Sequence, residues 1–196
     1  MYQTQNPFTQ IVEKKYRNYS DIKLRSILDD SNEVFVDWKR QSFQFRSSIL
    51  LKVAELLEER KSEYGRLITI EMGKPISQSV AEVEKCALVC RYYADNAVDF
   101  LKSRRIESTA QMSQINYEPL GAIFAIMPWN FPLWQVFRFI APTLMAGNVG
   151  LLKHSSNVPQ CAMALPKVLK DAGVPSDVWN NLFITHKQVE HVIAHK

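Results

Sequence analysis

The sequence is short of glycine, of cysteine and of long apolar runs, and each shortage closes off a class of function. Only six glycines occur in 196 residues. None forms Gly-x-Gly-x-x-Gly after a strand, so the usual pyrophosphate-cradling fingerprint is missing. The three cysteines, Cys86, Cys90 and Cys161, are odd in number and lack metal-ligand spacing. Neither a disulfide framework nor a metal centre is expected, and a reducing compartment is. Cys86 and Cys90, four apart on a predicted helix, are read as packing residues. No run of about 18 apolar residues exists, which excludes a helical membrane span. The stretch Met1 to Pro7 is polar and lacks the apolar core of a signal peptide, so a cytoplasmic location is expected. Charge of one sign is not in excess: 24 basic and 20 acidic residues leave +4. The basics form no stripe beyond Lys102, Arg104 and Arg105, so no nucleic-acid partner is expected.

What is present falls into two halves. The first hundred residues read as helices. Ser20 is placed to cap one whose apolar positions are Leu24, Ile27, Leu28, Phe35 and Trp38. A second carries Phe45, Ile49, Val53, Leu56 and Leu57. A third runs over 62–72, where Gly73 supplies a left-handed cap and Pro75 blocks continuation. Ser79 and Glu82 have capping-box spacing for a fourth, with Val83, Ala87, Cys90, Ala94 and Ala97 as its inward stripe.

Beyond about residue 112 the period changes. Residues 113–117 alternate as a half-exposed strand does, and 121–126 are continuously apolar as a fully buried strand is. A helix is predicted from Pro132 to Met145, a strand over 149–152, a helix over 159–172, a strand over 181–185 and a helix from 187. That alternation predicts an α/β fold with parallel strands and short crossovers, half of a doubly wound sheet. The expected organisation is a helical part over 1–112 and a sheet part over 113–196.

In a parallel sheet the carboxyl ends of the strands share one edge, which is the ligand edge. Pro128, Trp129 and Asn130 end the first predicted strand, Lys153, His154, Ser155 and Ser156 the second, and Thr185 and His186 the third. Trp and Lys are not default turn residues, so the first two ends are the informative ones. On these grounds alone the chain is a nucleotide-type α/β half-domain of unspecified ligand.

Three segments carry a closer likeness: Glu71-Met-Gly-Lys-Pro75, Glu118-Pro-Leu-Gly-Ala-Ile-Phe-Ala-Ile-Met-Pro-Trp-Asn-Phe-Pro132 and Ala146-Gly-Asn-Val-Gly-Leu-Leu-Lys-His-Ser-Ser156. In order and spacing they resemble the NAD(P)-dependent aldehyde dehydrogenase superfamily, nearest its succinate-semialdehyde branch. The likeness runs along nearly the whole chain. It implies N-terminal helices followed by half of a modified Rossmann sheet, a fold that binds its dinucleotide without the glycine fingerprint.

The resemblance also implies roles. Asn130 matches the amide that helps hold the oxyanion of the thiohemiacetal, a task suited to a neutral, preorganised donor. The alternative is that Asn130 simply caps the following helix. Ile126, Met127, Pro128 and Trp129 match the strand end beside the nicotinamide ribose. Lys153 matches the lysine that bonds the adenosine ribose. Ser156 stands where NAD-preferring relatives carry a glutamate, and His154 replaces a common proline and adds a candidate cation. NAD or NADP is therefore the expected cofactor, with NADP tolerated or preferred. Arg138 matches an arginine that grips a substrate carboxylate, and Gln135 is placed to line the same tunnel.

The resemblance places the family's nucleophilic cysteine, its general-base glutamate and a further phosphate loop beyond Lys196. None of Cys86, Cys90 and Cys161 matches the nucleophile. The catalytic domain is expected to be absent and the chain inactive alone. A non-catalytic truncated product or a dinucleotide- or subunit-binding module is the alternative. Intact family members are homo-oligomeric and take a small aldehyde. With one edge of the sheet uncovered, the chain alone is expected to associate or aggregate.

Overall fold

The computed structural model describes residues 1–195. It opens with an antiparallel hairpin, β1 (Tyr2–Gln5) and β2 (Val12–Tyr16). Four helices follow: α1 (Asp21–Trp38), α2 (Phe43–Glu59), α3 (Lys61–Met72) and α4 (Ile76–Leu101). A two-residue ribbon, β3 (Arg104–Arg105) and β4 (Gln114–Ile115), leads into the parallel sheet. That sheet is β5 (Ala122–Met127), β6 (Val149–His154) and β7 (Trp179–Asn181), in that spatial order. Helices α5 (Trp134–Met145) and α6 (Pro159–Asp171) connect the strands, and α7 (His186–Ile193) follows.

Local chemistry accounts for several boundaries. The Ser20 hydroxyl accepts from Lys23 N–H and starts α1, and Ser42 accepts from Phe45 N–H and starts α2. Gly73, at φ 69°, ends α3 in the left-handed conformation expected of it. The inward stripe expected of α4 is buried throughout.

Other expectations are corrected. Ser79 and Glu82 do not form a capping box: α4 starts earlier, at Ile76, and its N-terminus has no side-chain cap. Ser79 instead bonds Thr69, and Glu82 points to another helix altogether. The helix expected from Pro132 starts at Trp134. The strand expected over 113–117 shrinks to the exposed ribbon residues Gln114 and Ile115, because only β3 pairs with it. The third sheet strand lies at 179–181, not 181–185, and 182–185 form the following loop. The N-terminal hairpin, with its buried Tyr2 and Thr4, escapes a helical reading of the first hundred residues.

The full burial expected of 121–126 fails for β5, and it is β6 that is fully enclosed. All six residues of β6 are buried, whereas in β5 only Ala125 is, and Ile126 is 57% exposed. The reason is position: β6 is the central strand, and among the described residues no strand lies on the far side of β5. Gly150 of β6 faces Trp179 of β7 in register, and a Cβ there would lie 2.3 Å from the Trp179 ring. Only glycine lets the indole lie across the strand.

Both faces of the sheet are covered. On one, Phe137, Ile140, Leu165 and Leu169 of α5 and α6 join Trp38, Leu57, Ile68 and Val83 of the early helices in one continuous core. On the other, Leu24 and Leu28 of α1 pack with Leu151, Leu182, Ile184 and Val192.

Candidate functional site

The carboxyl edge of the sheet is assembled by register. Ile126 stands opposite Lys153 and Met127 opposite His154, so the ends of β5 and β6 lie side by side. Pro128, Trp129, Asn130 and Phe131 then form an exposed loop before the buried Pro132. Ser155, half-buried, and Ser156, exposed, follow His154, with the Ser155 hydroxyl donating to Asn157 Oδ1. The structure thus brings Ile126, Met127, Pro128, Trp129, Asn130, Lys153, His154, Ser155 and Ser156 to one edge. Gln135 is half-buried in the first turn of α5. Arg138, one turn further along, is exposed and makes no hydrogen bond or ion pair among the described residues.

The loop bearing Asn130 is held by groups from elsewhere in the chain. The Glu82 carboxylate accepts from Leu133 N–H at 3.0 Å and Trp134 N–H at 3.1 Å. It therefore satisfies the free amides at the start of α5 and complements the positive end of the helix dipole. Lys74 pairs with Glu82 at 2.5 Å and places its ammonium 3.9 Å from the centre of the Phe131 ring. Glu71 does the same for α6, accepting from Gln160 N–H at 2.9 Å and Cys161 N–H at 2.8 Å, and from the Thr4 hydroxyl at 2.5 Å. Burial raises the Glu71 carboxyl above its ordinary range, against the pull of these donors.

These caps decide two points. Asn130 is not needed as a cap, and its side-chain amide makes no hydrogen bond among the described residues. The N-termini of α5 and α6, where a pyrophosphate would sit in a glycine-fingerprint sheet, are already occupied by carboxylates. Sequence reasoning placed Glu71 and Lys74 only within a motif and gave Glu82 the wrong task. The two-sided contact between α4 and α5 has no periodic signature.

His154 does not supply a cation. It is 2% exposed, its Nε2 lies 2.8 Å from Pro132 O, and its Nδ1 accepts from Ser155 N–H at 2.8 Å. An Nδ1 that accepts puts the proton on Nε2, which donates to Pro132. Burial pushes its pKa down to about 4, so the ring is neutral near pH 7. Lys153 is the cation at this edge. It is 6% exposed, burial lowers its pKa, and no carboxylate or hydrogen-bond acceptor of the described residues engages its ammonium. The stem is enclosed while the ammonium, with no internal acceptor, is left open to a ligand rich in hydroxyl or phosphate oxygens.

The family model described as the aldehyde dehydrogenase family matches residues 1–196. The chain belongs to that family. A protein of Synechocystis sp. named probable succinate-semialdehyde dehydrogenase (NADP(+)) is 47% identical over 191 residues, 97% of this chain and 42% of its own length. Succinate-semialdehyde dehydrogenase (NADP(+)) 1 of Mycobacterium tuberculosis is 40% identical over 193 residues, again 97% and 42%. The crystal structure of succinic semialdehyde dehydrogenase from Streptococcus pyogenes with NADP+ superposes with a TM-score of 0.97 at 34% identity. It covers 100% of this chain and 43% of the other. The chain thus spans less than half the length of these aldehyde dehydrogenases and matches their N-terminal part. Its α/β fold, with helices preceding a parallel three-stranded sheet, is the aldehyde dehydrogenase one. No helix among the described residues is long and apolar enough to cross a membrane.

Proposed function

We propose that this chain is the cofactor-binding N-terminal part of an enzyme that oxidises succinate semialdehyde to the acid with NADP. The observation that carries the reading is the uncommitted Asn130 amide at the carboxyl end of β5, freed from capping by Glu82. A neutral donor fixed on a braced loop and open to solvent suits an oxyanion that develops during acyl chemistry. Ile126, Met127, Pro128 and Trp129 flank it as the nicotinamide-ribose wall. Lys153, Ser155 and Ser156 fit the adenosine ribose, and Ser156 leaves room for a 2′-phosphate that a carboxylate would repel. His154 contributes by shape and by holding Pro132. NADP, when bound, accepts the hydride. Arg138 and Gln135 are assigned to the substrate, Arg138 through a guanidinium fork suited to a carboxylate.

The chain alone is not expected to turn over substrate. Cys86, Cys90 and Cys161 are buried, and burial pushes all three thiols up, so none offers a thiolate. The names of the Synechocystis and Mycobacterium tuberculosis relatives, both succinate-semialdehyde dehydrogenase (NADP(+)), support the choice of substrate and cofactor.

The test is made in the intact protein that carries this chain. Asn130→Ala is expected to lower kcat about 10²–10³-fold, the usual effect of removing one oxyanion donor, with NADP binding retained. An unchanged kcat would overturn the role of Asn130, and strict selectivity for NAD would overturn the cofactor assignment.

A further inference from the structure

The hairpin β1–β2 has no part in the reading above, yet its first strand runs along the ligand edge of the sheet. Gln3 N–H donates to Ser156 O at 3.0 Å, so β1 is tied to the loop that ends β6. Tyr2, 2% exposed, donates its hydroxyl to Ile184 O at 3.0 Å and stacks on Phe183 with centroids 4.7 Å apart. Thr4 donates to the buried Glu71 carboxylate at 2.5 Å. Three consecutive residues of β1 are thus anchored to three different parts of the chain. A lone two-stranded ribbon is marginally stable, so these anchors are what fix β1 in place.

The Tyr2 ring lies beside Lys153, with the ammonium 6.0 Å from its centroid. Among the described residues this ring is the favourable electrostatic contact given to that ammonium. The choice of an aromatic matters chemically. A carboxylate at this place would neutralise the ammonium and repel an anionic ligand. An aromatic face steadies the cation and leaves its three N–H donors free.

We infer that the β1–β2 hairpin is a wall of the cofactor pocket at its ribose-phosphate end, and that Tyr2 is the positioning residue that seats Lys153 there. The inference rests on the cofactor reading above and extends it to a segment more than 130 residues away in sequence. The ligand class is a ribose bearing a 2′-phosphomonoester. Gln3, through its backbone, sets the height of the Ser156 loop against that group.

The intact protein that carries this chain serves for the test, with 2′,5′-ADP and 5′-AMP as probes in calorimetric and NMR titrations. Wild type is expected to bind 2′,5′-ADP more tightly than 5′-AMP, and Lys153→Met to lose that preference. Tyr2→Leu should weaken 2′,5′-ADP about threefold, within the range of a solvent-accessible cation–aromatic contact. It should also shift the Lys153 side-chain NMR signals, while Tyr2→Phe, which keeps the ring, stays near wild type. A folded Tyr2→Leu chain that binds both probes like wild type overturns the inference and leaves the cofactor reading standing. Binding of neither probe by wild type overturns both. If Tyr2→Leu does not fold, the wild-type titration decides. Saturation that moves the Tyr2 ring and Gln3 amide signals supports the wall, and saturation that leaves them still overturns it.

Discussion

His154 Nε2 donates to the carbonyl oxygen of Pro132 at 2.8 Å, joining the carboxyl end of β6 to the loop that carries Asn130. A residue that reads from sequence as a candidate cation is a neutral strut. The sign of its pH dependence follows. Its pKa falls from 6.5 in the unfolded chain to about 4 in the folded one. The unfolded state therefore binds a proton first, and the stabilisation present above pH 6.5 is lost as pH falls toward 4. The linked free energy is roughly 3 kcal/mol. Glu71, whose pKa is raised, works the other way in acid, so the contribution is isolated by comparison. Urea unfolding at pH 7.5 and 4.5 should show a smaller acid loss for His154→Gln than for wild type. Equal losses would mean that the ring is not kept neutral by the fold.

Glu82 is expected to be the most costly polar side chain to truncate in this half. Glu82→Ala leaves Lys74 unpaired and two N–H groups of α5 unsatisfied, and removal of one partner of such a buried pair costs about 3–5 kcal/mol. Glu82→Gln keeps an acceptor for Leu133 and Trp134 and should lose less. Chemical denaturation of the two variants checks this, and equal losses would show that the charge, not the cap, is what α5 needs.

Gly150→Ala should destabilise by about 1–3 kcal/mol, the cost of overpacking a core, because its Cβ would meet Trp179. Pairing it with Trp179→Leu should recover part of that loss if the clash is the cause. Thermal melts of the single and double variants give the coupling.

The chain in isolation is expected to self-associate. Strand β5 has a free edge, and Ile126, Trp129 and Phe131 at its carboxyl end are exposed. Placing a charge on an edge strand is a known guard against pairing. Ile126→Lys should therefore lower the sedimentation coefficient at high concentration. A wild-type chain that melts cooperatively as a monomer at every concentration would contradict the expectation.

The lateral placement of functional groups was legible where one residue type does one local task. Ser20 and Ser42 cap the helices that follow them, and Gly73 ends α3, because each acts within a few residues of itself. The alternation of apolar strands with helices past residue 121 was enough for a parallel sheet, and so for placing Asn130 and Lys153 on one edge. The burial of β5 is not legible in sequence, because an apolar run reads alike in a central strand and in an edge strand. The task of Glu82 is not legible either, because its spacing to Ser79 satisfies a local pattern while its partners lie 51 and 52 residues ahead.

The sequence by itself determined the order of the helices and of the parallel strands past residue 121, the edge on which those strands end, and the membership carried by the Asn130 and Lys153 segments, since these depend on periodicity and on short-range chemistry. Only the tertiary structure decided what each polar group at that edge is free to do. It left the Asn130 amide uncommitted and the Lys153 ammonium beside Tyr2, and it enclosed His154 as a neutral donor. Those outcomes depend on desolvation and on partners drawn from helices and a hairpin far away in the chain, and no local pattern encodes them.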